Sequence, residues 1–322
     1  MRQRVVLHIG THRTASTSLQ TWLWLNRPAL SAMGVWYPQP QDRRGFRGAK
    51  HGDLRLAALA EGRQGTRGRF EPLLSAYIEA IAQRGAPITV LSCEGWSARE
   101  NHFAQRFAPL AERFDVTVVA FVRRPDFWLE SIYRHRMRLV EHAETRLFTQ
   151  FAAARQQQDY VTGRTAMLSW WADVFGPRAL RLIPYCPAVP GFAPIKAFRD
   201  AAELPSASKW LLGSFRRNKG LTREQAEAVR RARLQGFEIT RMGLSRLRKH
   251  MRRGAQSFWG ETSREALLNA ASDDLRALSA LAGRPGTRFF PEHPERLPEQ
   301  LQDWDQAGFT DVPDPNTWCF PP

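Results

Sequence analysis

The sequence predicts an α/β protein in which a central parallel sheet is flanked by helices. Two observations carry this prediction: short apolar runs rich in β-branched residues are spread along the chain, and long stretches with helical periodicity separate them. The runs are residues 5–9, 88–93, 116–122 and 179–185. Each connection is long enough for the crossover that joins two parallel strands.

The remaining segments complete this prediction. Residues 39–69 show little apolar pattern and are predicted to form a long loop that closes over the second ligand of the site, the acceptor. Residues 205–282 are predicted to be mostly helical, and the proline-rich tail 285–322 is expected to wrap the surface. We therefore predict that the whole chain is a single domain, with a core over about 1–200 and a helical, wrapping C-terminal part over about 205–322.

The first strand leads into a loop rich in hydroxyl groups, and the loop leads into a helix. We call residues 10–18 the anion loop; they are Gly10, Thr11, His12, Arg13, Thr14, Ala15, Ser16, Thr17 and Ser18. The first N–H groups of a helix have no partners within it, and the helix dipole favours negative charge there. Small residues let an anion approach the backbone, and Arg13 adds a positive charge. The anion loop is therefore predicted to hold a phosphorylated or sulfated nucleotide, and a Ser/Thr-rich turn that caps an ordinary helix is the alternative interpretation.

The anion loop does not follow the common pattern G-x-x-x-x-G-K-[ST]. Counting from Gly10, Ala15 stands at the second glycine position and Ser16 at the lysine position. The lysine that normally reaches the terminal phosphates of ATP or GTP is therefore replaced. The cation of this loop lies earlier, at Arg13.

A second segment predicts a second phosphate contact. The apolar run 116–122 is typical of a buried parallel strand and leads directly to Arg123. Pro125 suits the first turn of the next helix, in which Ser131 lies about two turns further on. An arginine and a serine so placed can hold one phosphate from two sides. A solvated basic pair after a core strand is the alternative interpretation.

These segments resemble the sulfotransferases, especially bacterial and carbohydrate-type members. The anion loop is similar to their 5′-phosphosulfate loop, roughly G-T-H-K-T-G-[TS]-T-S-L-Q, and Arg123 and Ser131 match their 3′-phosphate motif, R-x-P followed by a serine. Residues 171–176 and the following strand resemble the family's W-x-x-x-F-G helix end and P-Y strand end. Residues 215–220 resemble a basic loop over the nucleotide, with Arg217 and Lys219 as candidate contacts; a surface cluster is the alternative there.

The resemblance covers roughly residues 5 to 220 and implies a fold, an activity and a donor. The fold is the P-loop-NTPase-like fold of sulfotransferases. The activity is transfer of a sulfuryl group from 3′-phosphoadenosine 5′-phosphosulfate (PAPS) to a hydroxyl or amine, by in-line displacement, leaving 3′-phosphoadenosine 5′-phosphate (PAP). The expected acceptor is a glycan or glycolipid, with an acidic one favoured by charge. Arg13 departs from the family's lysine: it keeps the charge but cannot donate a proton to the leaving group.

Two residues are candidates for the base that removes the acceptor's proton. Glu94 follows the predicted strand 88–93, and its alternative role is to cap the turn over 95–97. His51 lies in the segment after the first helix, where other carbohydrate-type members place a base; its alternative is an exposed loop histidine. Arg13, Glu94 and His51 are therefore the predicted catalytic residues.

Charge favours anionic partners. The chain has 47 Lys and Arg residues against 31 Asp and Glu residues, and its formal net charge is +16. Nucleic acid is a rival partner because residues 216–253 form a basic helical region. Aromatic residues are few there, so the stacking platforms of a single-strand binder are not evident, and nucleic acid is not the expected partner.

Two other functions stay open. A nucleotide-kinase-like P-loop enzyme would need the lysine that is replaced in the anion loop. A nucleotide- or nucleic-acid-binding module without turnover is consistent with Arg13 at the lysine position. The three cysteines, Cys93, Cys186 and Cys319, have no metal-ligand spacing, so no metal is expected. Neither a signal peptide nor a membrane span is evident, and a cytoplasmic, bacterial enzyme is expected.

Overall fold

The computed structural model describes ten ranges of the chain. They are residues 2–39, 49–61, 68–98, 103–139, 144–156, 163–187, 189–205, 220–251, 257–291 and 313–319. These residues fall into two compact units. The first unit comprises Met1–Arg123, Arg164–Arg217 and Leu275–His293, and the second comprises Arg124–Gly163, Asn218–Asp274 and Pro294–Pro322.

The first unit contains a five-stranded sheet in which every pairing is parallel. The strands are β1 Arg4–Gly10, β2 Val35–Trp36, β3 Ile88–Ser92, β4 Asp115–Val122 and β5 Leu180–Pro184, in the order β2-β3-β1-β4-β5. The predicted α/β class with a central parallel sheet is confirmed, and so are the four predicted strands. The edge strand β2 was not predicted because two residues carry no readable period.

Fourteen α-helices are found in the described residues. They are α1 Ser16–Leu25, α2 Arg27–Ala32, α3 Gly52–Glu61, α4 Phe70–Arg84, α5 Phe103–Arg106, α6 Leu110–Arg113, α7 Pro125–Arg138, α8 Phe148–Gln156, α9 Arg164–Phe175, α10 Pro194–Ala201, α11 Arg223–Leu234, α12 Arg241–His250, α13 Glu261–Ala270 and α14 Ser272–Leu281. The first unit holds α1–α6, α9 and α10, whereas α7, α8 and α11–α13 belong to the second. None of the described helices is long and apolar enough to cross a membrane.

The sheet of the first unit buries both of its faces. Successive side chains of a strand point to opposite faces. Val5, Leu7 and Ile9 of β1 therefore pack on one side with residues of α3, α4 and α9. Val6 packs on the other side with residues of α1, α2 and α10. Burial on both faces explains why the strands are apolar runs without polar alternation.

The predicted loop over residues 39–69 is wrong in its centre, because α3 Gly52–Glu61 lies there. Leu54 and Ala58, one turn apart, are buried against the core. The helical spacing was present in the sequence but was masked by the arginines and glycines around it. Residues 40–48 and 62–67 lie outside the described residues.

The C-terminal part is helical where the structure describes it, as predicted. Helices α11–α14 account for most of the described residues between 220 and 282. The segments of the two units alternate along the chain, and the single domain expected over the whole chain stays a prediction. In the tail, Trp318 is buried within the second unit, whereas residues 292–312 and 320–322 lie outside the described residues.

Candidate nucleotide-binding site

The anion loop begins at Gly10, a position that only glycine fits. Its φ is +103°, and a Cβ placed there would lie 2.9 Å from the Cα of Glu94. Any side chain at position 10 would therefore clash with the backbone of Glu94, which cannot rotate out of the way as a side chain could. The end of β1 and the segment after β3 are in close contact at this point.

Three hydroxyl groups of the anion loop donate hydrogen bonds to backbone carbonyls, within the loop or in β4. Thr11 donates from its N–H and its hydroxyl to the carbonyl of Phe121, at 2.9 and 3.0 Å. The Thr14 hydroxyl donates to the carbonyl of Thr11 at 2.6 Å, and that of Ser16 does so at 3.4 Å. All three side chains are buried. They hold the shape of the loop, so the predicted contact with an anion falls to other atoms.

The N-terminus of α1 has no side-chain cap. Ala15 is the N-cap residue in a left-handed conformation, with φ 63° and ψ 18°. Its carbonyl accepts from the N–H groups of Ser18 and Leu19. The side chain of Thr17 is exposed and that of Ser18 is half-buried. The first turn of α1 therefore presents uncapped N–H groups and two hydroxyl-bearing residues, the features that an oxyanion needs.

Arg123 lies against the anion loop. It follows β4, the strand next to β1, and its Nη1 donates to the carbonyl of Arg13 at 3.1 Å. Its own carbonyl accepts from Arg164 Nη1 at 2.6 Å, and its guanidinium lies 5.5 Å from the centre of the Tyr185 ring. The two predicted arginines, Arg13 and Arg123, are thus brought together at neighbouring strand ends.

The structure says less about the other predicted nucleotide contacts, Ser131, Arg217 and Lys219. Ser131 is buried on α7 in the second unit, and its contact with a 3′-phosphate stays a prediction. Asp126, in the first turn of α7, is fully buried and accepts from Arg124 Nε and Nη2 at 2.8 Å each. Arg217 and Lys219 lie outside the described residues.

Glu94 lies directly against the start of the anion loop, at Gly10. Its Oε2 accepts from Gln20 Nε2 at 2.8 Å, and its Oε1 lies 3.2 Å from Lys50 Nζ. Burial by itself would raise the pKa of Glu94, but the charge of Lys50, the Gln20 hydrogen bond and lesser contacts outweigh it and lower the pKa to about 2. The carboxylate is therefore ionised and weakly basic at neutral pH.

His51 is not an exposed loop histidine: its ring is fully buried. Its Nδ1 accepts from the N–H of Ser92 at 3.0 Å, and the rings of Tyr37 and Tyr77 pack edge-on at 4.9 and 5.8 Å. Burial, opposed mainly by the charge of Asp53, lowers the pKa of His51 to about 4. With Nδ1 occupied, the neutral ring carries its proton on Nε2 and has no lone pair for an acceptor proton.

His12 is half-buried in the middle of the loop. Burial lowers its pKa; the charge of Glu94 opposes this, while those of Arg55, Lys50 and Arg13 lower the pKa further. Three cations and one carboxylate therefore act on a single imidazole. This arrangement favours the neutral ring, which can donate one hydrogen bond to an anion.

Three residues that lie around Glu94, beside the anion loop, were not predicted from the sequence: Gln20, Lys50 and Arg55. Gln20 and Lys50 hold the carboxylate of Glu94. Arg55 lies across Gly95, since a Cβ at Gly95 would overlap with its Cδ. The glycine directly after Glu94 was the one local signal of such a close approach.

Metal ligation has no support among the residues that the structure describes. No group of three or more His, Cys, Asp or Glu side chains there could hold a metal ion. The three cysteines are buried and unpaired with one another.

Comparison with solved structures finds similarity to a sulfotransferase. No protein-family model matches the chain, and no curated protein matches it in sequence. The crystal structure of a sulfotransferase from Alicyclobacillus acidocaldarius is 14% identical and is aligned over 88% of this chain and 97% of that chain, with a TM-score of 0.48. A similarity this low says nothing about the function of this chain, and the loop geometry and charges described above are what bear on it.

Proposed function

We propose that this protein is a sulfotransferase that moves a sulfuryl group from PAPS to a hydroxyl or amine of an acceptor. The acceptor that we propose is a glycan or glycolipid, and the second product is PAP. The observation that carries the proposal is the meeting of Arg123 with the anion loop, where its Nη1 donates to the carbonyl of Arg13 at 3.1 Å. Two segments that each match a phosphate-binding motif thus converge at the ends of β1 and β4.

The residues of the anion loop fit a 5′-phosphosulfate group. The first turn of α1 has no side-chain cap, so its N–H groups can donate to phosphate or sulfate oxygens. Thr17 and Ser18 can add hydroxyl donors, while the three buried hydroxyl-bearing residues keep the loop in place. We assign the 3′-phosphate to Arg123, and contacts of Ser131, Arg217 and Lys219 with it stay predictions from the resemblance.

The chemistry is an in-line displacement at sulfur. The acceptor oxygen forms a bond to sulfur as the bond between sulfur and the bridging oxygen of the 5′-phosphate breaks, and the acceptor proton passes to a base. Negative charge develops on the bridging oxygen. Arg13 would stabilise this charge more in the transition state than in the ground state. Because arginine stays protonated, it contributes electrostatically and not as a general acid.

We propose Glu94 as the base. With a pKa of about 2 it is a weak base while Lys50 and Gln20 hold it. An acceptor that draws Lys50 away would remove the charge that most strongly lowers this pKa, and would bring Glu94 closer to the working range of a general base. His51 is not part of the proposed mechanism, because its Nδ1 is occupied by the N–H of Ser92.

Calorimetry with PAP, ATP and a single-stranded oligonucleotide separates this function from the alternatives. We expect PAP to bind at least tenfold more tightly than ATP, because the 3′-phosphate has its own contacts and the loop has no lysine for a γ-phosphate. Equal affinity for PAP and ATP would favour a kinase-like protein and overturn the proposal. Preference for the oligonucleotide would favour a nucleic-acid-binding module.

Turnover is tested by transfer of labelled sulfate from PAPS to an extract of the native organism. A labelled product, identified by mass spectrometry, would support the enzyme and define the acceptor. Tight binding of PAP without any labelled product would instead favour a binding protein, for which Arg13 in place of lysine is the specific observation.

A further inference from the structure

A cationic cluster lies beside the anion loop, on the side opposite Arg123. In the sheet, β1 stands between β4, which Arg123 follows, and β3, which Glu94 follows. Lys50 and Arg55 lie on the β3 side. We call Lys50, Arg55 and Glu94 the β3-side cluster.

His51 fixes the segment that carries this cluster. Its N–H donates to the carbonyl of Ser92 at 2.9 Å, while its Nδ1 accepts from the N–H of the same residue at 3.0 Å. This two-point contact attaches the start of α3 to the carboxyl end of β3. Lys50 directly precedes His51, and Arg55 lies one turn further along α3. The cations are therefore held by backbone contacts and do not hang from a free loop.

Both cations are partly exposed. The Lys50 side chain is 40% exposed, although its Nζ lies 3.2 Å from Glu94 Oε1. Arg55 is half-buried, extends across Gly95, and has a buried Nε without a hydrogen-bond partner in the described part of the chain. An arginine left in this state is a donor that a bound anion could satisfy.

The charges of this region are unbalanced. Arg13, Lys50 and Arg55 act together on His12, and Glu94 is the carboxylate that opposes them. Asp53, the other carboxylate of this segment, is buried and accepts from the hydroxyl of Tyr77 at 2.7 Å. The proposed donor phosphates use the anion loop and the Arg123 side, which leaves Lys50 and Arg55 for another anion.

We propose that Lys50 and Arg55 bind an anionic group of the acceptor, a carboxylate or a sulfate close to the hydroxyl that is modified. This inference rests on the proposed function, because it assigns the β3 side of the loop to the acceptor. The anion would compete with Glu94 for Lys50. Binding of an acidic acceptor would thus release the proposed base at the time when it is needed.

The test compares three sugars on the full chain saturated with PAP. The probes are glucuronate, glucose 6-sulfate and neutral glucose, and their affinities are measured by saturation-transfer NMR. We expect one or both acidic sugars to bind at least tenfold more tightly than glucose, and this preference to weaken as salt is raised. Which of the two binds more tightly distinguishes a carboxylate from a sulfate. Equal binding of all three sugars, or no binding of either acidic sugar, would overturn the proposal.

Substitutions of single residues test whether Lys50 and Arg55 cause the preference for acidic sugars. Arg55→Gln and Lys50→Gln should each reduce the preference for the acidic sugars at least fivefold. Arg84→Gln is the matched control, because Arg84 is exposed at the end of α4, before β3 begins. Gly95→Ala is a second test that retains both cations, since the new Cβ would displace Arg55. An unchanged preference in Arg55→Gln and Gly95→Ala would contradict the inference.

The PAP affinity of the same variants keeps the two proposals apart. Arg55→Gln and Lys50→Gln should bind PAP within threefold of the unmodified chain. A tenfold loss of PAP affinity would assign these cations to the donor and would overturn the inference while supporting nucleotide binding. Failure of the unmodified chain to bind PAP would instead contradict the proposed function, and the sugar preference would then be measured without PAP.

Discussion

The two sides of the candidate site are built in different ways. The anion loop is one continuous stretch from β1 to α1, and its N–H groups and hydroxyls come from residues 10–18. The β3-side cluster joins separate segments: Lys50 and Glu94 are 44 residues apart in the chain, yet lie 3.2 Å apart. A site built from one stretch of backbone leaves a local pattern in the sequence. A cluster of side chains that neighbouring strands bring together from distant segments leaves none.

Ser92 of β3 connects the two sides. His8 of β1 places its Nδ1 2.7 Å from the Ser92 hydroxyl, and His51 accepts from the Ser92 N–H at 3.0 Å. Both rings are fully buried. Each side of the site therefore depends on one buried histidine held at the same residue.

Acid should disrupt both sides together, and this is the largest effect that we expect. Burial lowers the pKa of His8 and of His51 to about 4. Between about pH 6.5 and pH 4 the unfolded chain takes up two protons that the native state does not, so the free energy of unfolding falls with a slope of up to about 2.7 kcal/mol per pH unit. Below about pH 4 the contribution of the two histidines should level off, because the native rings are protonated too. The lowered pKa of Glu94, about 2, should still make the free energy of unfolding fall as the pH decreases further. Urea unfolding at about pH 7, 6 and 5, followed by tryptophan fluorescence, measures it.

Single substitutions separate the contributions of His8 and His51 to this pH dependence. His8→Gln and His51→Gln should each remove about one proton from the slope, because each removes one buried imidazole. His250→Gln, at an exposed position on α12, is the control and should leave the slope unchanged. A full slope in both buried variants would show that other groups cause the acid sensitivity.

Gly10→Ala should be the most damaging substitution. The new Cβ would meet Glu94 backbone at 2.9 Å with φ at +103°, and we expect the free energy of unfolding to fall by about 2–4 kcal/mol. Gly85→Ala is a matched control, since Gly85 also has a positive φ but a Cβ added there would have no atom within 4 Å. It should cost about 1 kcal/mol. Equal losses of unfolding free energy in the two variants would mean that the close approach of Glu94 adds no cost at position 10.

Arg123→Ala should weaken PAP binding more than tenfold. A charge-assisted hydrogen bond is worth about 1.5–3 kcal/mol, and Arg123 is also held close to the loop by its contact with Arg13. Arg84→Ala serves as the control for charge. Calorimetry on both variants measures the effect, and a change below threefold in Arg123→Ala would remove Arg123 from the proposed phosphate site.

Arg13→Lys should have the smallest effect on binding. Both side chains carry a positive charge, so PAP affinity should stay within about threefold, with only bidentate hydrogen bonding lost. In the sulfate-transfer assay, lysine should increase the rate, because it can protonate the leaving oxygen. A tenfold loss of PAP affinity would show that the planar guanidinium anchors the nucleotide.

The sequence predicted some parts of the site well and others poorly, for physical reasons. Residues 5–9 were recognised as a strand because burial on both faces makes β1 apolar throughout. Thr14 and Ser16 were predicted as part of the anion-binding loop, but their hydroxyls donate to the carbonyl of Thr11, a contact that the sequence pattern does not indicate. His51 was predicted as a candidate base, with an exposed loop histidine as the alternative. Its ring is instead buried against two tyrosine rings, a packing that no local pattern announces.

By itself, the sequence determined the parallel α/β architecture and the position of the anion loop. Both follow from short-range patterns: apolar strands, a glycine at the strand end, and small residues at a helix start. Only the tertiary structure decided that Lys50, Arg55 and Glu94 share one side of that loop. Their meeting depends on the pairing of β1 with β3 and on the attachment of α3 at Ser92, and such long-range contacts have no period or spacing along the chain.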